Sequence, residues 1–154
     1  MWYNRYNNKY FSVLGDSIST LGKYTKPEDA AFYEGMIKLE ADIFVPSDTW
    51  WGMLTEHLGG NLLVNNSFSG CCVTKRPGVM IPSFGCSDER TFSLHKDSAF
   101  PDVIMVFMGI NDFGHGAVTS PAIPDQETDI SIFSVAYGKM LEKLKTNYPK
   151  AEIW

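Results

Sequence analysis

Three short polar clusters hold the residue types that acyl transfer needs: Gly15-Asp16-Ser17, Asn65-Asn66-Ser67-Phe68-Ser69-Gly70 and Gly109-Ile110-Asn111-Asp112. A serine hydroxyl can attack an ester carbonyl. The negative charge that then grows on the carbonyl oxygen needs hydrogen-bond donors already in place. Ser17 is the candidate nucleophile. The candidate donors are the N–H of Ser17, the N–H of Gly70, where a missing side chain lets the backbone come close, and the side-chain amide of Asn111. The expected partner of such a site is a small-molecule ester.

Each cluster follows a stretch that reads as a buried strand. "KYFSVLG" (9–15) and "NLLV" (61–64) are short apolar runs, and "PDVIMVFMGIND" (101–112) is the strongest. An unbroken run such as Val103 to Met108 suits a parallel strand covered on both faces. Between the strands the periodicity turns helical. "SDTWWGMLTEHLGG" (47–60) places Trp51, Leu54 and Leu58 on one face, with Ser47 or Asp48 as cap and Gly59-Gly60 as stop. "DISIFSVAYGKMLEKLKTNYP" (129–149) is amphipathic, with Ile132, Phe133, Ala136, Met140, Leu141 and Leu144 inward and Asp129 as cap. Residues 22–46 read as a surface excursion and 71–92 as loop, while "KAEIW" looks like the opening of a fourth strand. Strands alternating with helices predict one α/β domain over residues 1–154, with a parallel sheet and helices on both faces. The carboxyl ends of parallel strands share one rim, so three clusters distant in sequence would meet there.

The bulk numbers fit a globular protein. The 154 residues are 44% hydrophobic and 20% charged, and the net charge of −5 argues against a nucleic-acid surface. No apolar run is long enough for a membrane span, and the first residues lack the apolar segment of a signal peptide. The protein therefore either acts inside the cell or has had a leader removed. Cys71, Cys72 and Cys86 show no zinc spacing, and no cofactor is implied. A disulfide from Cys86 to Cys71 or Cys72 is compatible with the sequence; buried thiols are the plainer reading.

On these residues the chain resembles the SGNH (GDSL-type) hydrolases, named for a Ser, a Gly, an Asn and a His in four blocks. "GDSIS" resembles the first block, "NNSFSG" the second and "GIND" the third. The resemblance implies Ser17 as nucleophile, Gly70 and Asn111 as oxyanion donors, and a flavodoxin-like three-layer α/β/α sandwich. The fourth block, Asp-x-x-His near the C-terminus, is read as absent, so the general base and the acid that orients it are expected to be missing. On that reading the chain is a C-terminally incomplete version of a longer hydrolase. The activity implied is that of a serine esterase, acting on acetylated carbohydrates or on small-acyl or lysophospholipid esters. The alternatives are a ligand-binding domain without turnover, or a domain-swapped fragment that associates through an exposed sheet edge.

Other residues have plainer readings. Asp16 is expected to brace its turn, Asp112 to anchor its loop on backbone N–H groups, and at least one of Trp50 and Trp51 to be core. "SDER" (87–90) reads as a loop-bracing ion pair, and the Asn65-Asn66-Ser67 sequon is set aside because it falls inside the site loop. His115 reads as a solvated loop residue or a substitute base, His57 as a cap for helix carbonyls, and His95 as remote from the site.

Overall fold

The computed structural model describes residues 4–25, 31–76, 83–119 and 129–154. Four strands, β1 (Tyr10–Gly15), β2 (Asn61–Ser67), β3 (Val103–Phe107) and β4 (Glu152–Ile153), form one parallel sheet in the order β2-β1-β3-β4. This is the flavodoxin-like order. The chain leaves β1 for one neighbour, β2, and then crosses back to the other, β3, so the connections diverge between β1 and β3. Ligands of open α/β sheets bind above that point.

Alternation along the strands divides the core into two layers. Phe11, Val13, Val103 and Met105 point to one face and pack with Leu21 and Trp51. Leu14 and Ile104 point to the other, against Ala136, Met140 and Leu144. The first face is covered by α2 (Trp50–His57), the second by α3 (Asp88–Phe92) and α5 (Phe133–Asn147). Ala136, Met140 and Leu144 recur every four residues, which draws one buried stripe along α5. Full burial of a side chain such as Leu144 contributes roughly 1.5–3 kcal/mol. The remaining α-helices among the described residues are the solvent-exposed α1 (Gly35–Glu40) and the short α4 (Ile110–Gly114).

Several boundaries differ from the sequence reading. Helix α2 starts at Trp50 and its cap is Thr49, whose hydroxyl accepts from the N–H of Gly52 at 3.1 Å. Asp48 is unavailable for that role because its carboxylate takes the N–H groups of Phe44 and Val45. The helix stops as expected: the N–H groups of Gly59 and Gly60 return to the carbonyls of Glu56 and Thr55. Asp129 does not cap α5. Its carboxylate accepts from the N–H of Ser131, and the helix begins after Ile132 with no side-chain cap. Strand β3 ends at Phe107, because Gly109 turns the chain directly into α4. The 71–92 stretch, read as loop, contains α3. Ser87 caps it by accepting from the N–H of Arg90, and Asp88 and Glu89 sit favourably in its first turn. Among the described residues no helix is long and apolar enough to cross a membrane.

Candidate active site

The strand register places the three clusters side by side. Gly15 pairs with Ser67 of β2 and with Phe107 of β3, so all three strands end on one rung. Asp16-Ser17, Phe68-Ser69-Gly70 and Gly109-Ile110-Asn111 leave from that rung at the same rim. The N–H of Phe68 donates to the Gly15 carbonyl at 3.2 Å, and Asn111 Nδ2 donates to the Cys71 carbonyl at 3.0 Å. The loop carrying Gly70 is thus tied at one end to the strand that carries Ser17 and at the other to Asn111.

The turn after β1 is held from several directions. Asp16 caps the 3-10 turn Ser17–Ser19 by accepting from the N–H of Ile18 at 3.1 Å. The Ser19 carbonyl accepts from Trp51 Nε1 (2.9 Å) and Asn65 Nδ2 (2.8 Å), and the Ser19 hydroxyl accepts from Trp50 Nε1 (3.1 Å). Trp51 is core, while the half-buried Trp50 tilts against Phe107 with 5.3 Å between ring centres. Gly15 is required by crowding: a Cβ there would stand 2.5 Å from the Ser19 side chain and 2.7 Å from the Ser67 hydroxyl. Ser17 itself remains half-exposed at the start of this turn.

Two of the candidate donors are uncommitted. The N–H groups of Ser17 and Gly70 make no hydrogen bond to a described residue. Gly70 has φ +75°, a conformation that disfavours any residue with a Cβ. The Asn111 amide spends one N–H on Cys71 and keeps the second.

The buried polar groups around this rim are structural. Asp112 is 1% exposed and accepts from the N–H groups of Val73 and Thr74 and from the Thr74 hydroxyl, at 2.8, 3.1 and 2.7 Å. It anchors the segment that follows Gly70 and Cys71. Asp16 is fully buried, and burial raises its carboxyl above the ordinary aspartate range, against the pull of the Ile18 N–H and the Arg90 charge. Cys71, Cys72 and Cys86 are free, buried thiols, so no disulfide joins them. Burial pushes Cys72 and Cys86 up to about 11. Asn65, the sequon residue, is 4% exposed.

Arg90 is the residue that the sequence reading missed. It forms no ion pair among the described residues; Asp88 pairs with Lys143 at 2.7 Å instead. The guanidinium is buried and donates to the carbonyls of Gly15 (2.9 Å) and Asn66 (2.7 Å), to the Ser83 hydroxyl (2.8 Å) and to Cys71 Sγ (3.1 Å). None of these partners is close enough in sequence for pattern reading to find. The only available signal was an arginine inside a well-capped helical turn.

A second correction concerns the fourth block. The sequence does contain an Asp-x-x-His spacing, Asp112-Phe113-Gly114-His115, overlapping "GIND". The geometry does not make it a catalytic pair. Asp112 is spent on Val73 and Thr74, whereas His115 closes α4 as an exposed residue, its carbonyl accepting from Arg76. Among the described residues no histidine ring is hydrogen-bonded to Ser17. His57 is exposed and caps no carbonyl among the described residues, and His95 lies against Phe92, Phe100 and Tyr148. No group of three or more His, Cys, Asp or Glu side chains among the described residues could hold a metal ion.

Comparison with known proteins agrees with this fold. The sequence model of the GDSL-like lipase/acylhydrolase family matches residues 9–154. A GDSL-like lipase from Bacteroides uniformis is 32% identical, with a TM-score of 0.79 over 96% of this chain and 70% of its own. One from Bacteroides ovatus is 28% identical, with the same TM-score over 96% and 71%. A family two carbohydrate esterase from Clostridium thermocellum, solved with cellohexaose, shares the fold at 18% identity and a TM-score of 0.51, over 99% of this chain and 44% of its own. No protein of curated function matches. With a family match that begins just before β1 and runs through β4, the chain belongs to the GDSL-like lipases/acylhydrolases, a family of hydrolases.

Proposed function

We propose that the protein is a serine ester hydrolase working through an acyl-enzyme. The Ser17 Oγ attacks the ester carbonyl carbon, and its proton passes to a base. The N–H groups of Ser17 and Gly70 and the free N–H of the Asn111 amide receive the oxyanion. Collapse of the intermediate breaks the carbon–oxygen bond to the alcohol, which leaves with a proton, and water then releases the acid and restores Ser17. The observation that carries this reading is the common rung: Gly15, Ser67 and Phe107 end together, so nucleophile and donors leave one rim at the β1/β3 divergence. The expected substrates are acetylated carbohydrates, or small-acyl or lysophospholipid esters.

One observation favours a second reading, a ligand-binding crevice without turnover: the Ser17 hydroxyl has no histidine partner among the described residues. The test combines a fluorophosphonate probe and peptide mapping with p-nitrophenyl acetate turnover by the chain, Ser17→Ala and His115→Ala. The esterase reading expects the label on Ser17 and turnover that disappears in Ser17→Ala. Label on another serine would overturn it. Equal background rates in the chain and Ser17→Ala, with no label, would favour the crevice. Loss of turnover in His115→Ala would identify the base.

A further inference from the structure

We propose that Arg90 is a positioning residue that locks the Gly70 loop to the end of the strand carrying Ser17, and so sets the geometry of the oxyanion donors. The inference rests on the esterase reading of the site. One planar group bridges the two ends of the segment in question. Its Nη2 bridges the carbonyls of Gly15, the last residue of β1, and Asn66, the last but one of β2. Its Nη1 bridges Cys71 Sγ and the Ser83 hydroxyl, beyond Gly70. Asn66 precedes the Ser67–Gly70 segment and Cys71 follows it. The Cys71 carbonyl is in turn the acceptor for Asn111 Nδ2. A shift at Cys71 therefore moves both proposed donors relative to Ser17.

The chemistry of the group supports a geometric role. Burying a cation that has no ion-pair partner among the described residues opposes folding, and Arg90 Nε has no hydrogen-bond partner among them either. Filling space under α3 would need only a leucine or methionine. What an apolar side chain cannot supply is several donors in a fixed plane, and a lysine supplies them only from one flexible point. Burial keeps the Cys71 thiol protonated, so the sulfur meets the guanidinium as a neutral acceptor.

The test uses the full chain with Arg90→Lys, Arg90→Met and, as a control, Met140→Ala, which weakens the core under α5. Two readouts are needed: kcat and KM for p-nitrophenyl acetate, and NMR relaxation dispersion at the Gly70 N–H and the Asn111 side-chain amide. For Arg90→Lys, kcat should fall about 10- to 100-fold while KM stays within about twofold, because donors are misplaced and substrate contacts are not lost. Gly70 and Asn111 should show microsecond-to-millisecond exchange in the arginine variants and none in Met140→Ala. Resonances as free of exchange in Arg90→Lys and Arg90→Met as in the unmodified chain would overturn the inference, whatever the turnover. Should Ser17→Ala match the unmodified chain in turnover, the esterase reading falls separately, and the dispersion data still decide whether Arg90 holds the loop.

Discussion

At the amino ends of the strands, Lys9 pairs with Asp102 at 2.8 Å and Arg5 with Glu152 at 3.1 Å, and all four side chains are at least a third exposed. At the carboxyl ends, Asp16, Arg90 and Asp112 are 0%, 4% and 1% exposed, and none forms an ion pair with a described residue. Water solvates the charges at the first end. At the second, backbone carbonyls and N–H groups must do so, and each buried charge therefore fixes pieces of chain. Asp112 fixes residues 73–74; Arg90 fixes the ends of β1 and β2 and the residue after Gly70. The same sheet thus ends once in replaceable contacts and once in contacts that set a geometry.

The sharpest way to break this contrast is Asp112→Ala. Two backbone N–H groups and the Thr74 hydroxyl would lose their acceptor in a buried setting. The expected loss is about 3 kcal/mol, since stranded buried donors cost more than a solvated pair gains. Urea unfolding measures it, and Asp112→Asn, which keeps one acceptor oxygen, should lose less. A loss below about 1 kcal/mol for Asp112→Ala would mean that residues 73–74 are held by something else.

The contrast also explains what could be read from the sequence. Local patterns carried far: the apolar runs gave β1 and β3, and the α5 stripe emerged from its spacing. Asp112 was expected to anchor its own loop on backbone N–H groups; it does accept backbone N–H groups, but those of Val73 and Thr74 in a distant segment. Ser17, Gly70 and Asn111 were singled out because each follows a strand, and the three strands do end on one rung. Side chains whose partners lie far away in sequence were not legible. Arg90 meets Gly15 from 75 positions away, and no periodicity encodes that. Caps failed where a carboxylate had a competing use, as Asp48 does at Phe44 and Val45. The Asp112–His115 spacing was hidden by its overlap with the third block, and only the structure shows that its acid is spent on Val73 and Thr74.

A middle-sized effect separates the two ends by the sign of their pH dependence. Burial, the largest influence on Asp16, raises its carboxyl above the ordinary value of 3.8. The folded state therefore holds this proton more tightly than the unfolded chain. The resulting stabilisation is complete below 3.8 and is lost as pH rises through the folded value. Asp16→Asn keeps an oxygen for the Ile18 N–H and cannot ionise. Relative to the unmodified chain, its stability in urea should improve as pH rises from the aspartate range toward neutrality. Parallel stability curves for the two proteins would show that Asp16 titrates as it does in the unfolded chain.

The smallest effect is expected at the opposite end, from Lys9→Met. Asp102 has the reverse sign. Burial works to raise its carboxyl, but the bonds from the Lys9 ammonium and the Tyr10 N–H outweigh it and leave it below 3.8. Its stabilisation is therefore present above 3.8 and is lost as pH falls through the lowered folded value. Methionine keeps most of the apolar stem of Lys9 and removes only the ammonium, while the Tyr10 N–H remains on Asp102 at 2.9 Å. The pair is exposed to water, so its loss should cost less than about 1 kcal/mol at neutral pH. The cost should shrink further in about 1 M salt, where screening reaches only about 3 Å, and should vanish in acid once Asp102 is protonated. Urea unfolding at low and high salt reads all three. A loss above about 2 kcal/mol that salt leaves unchanged would sink the contrast, because a solvated pair cannot supply it; Lys9 would then be holding the entry to β1 as firmly as Asp112 holds residues 73–74.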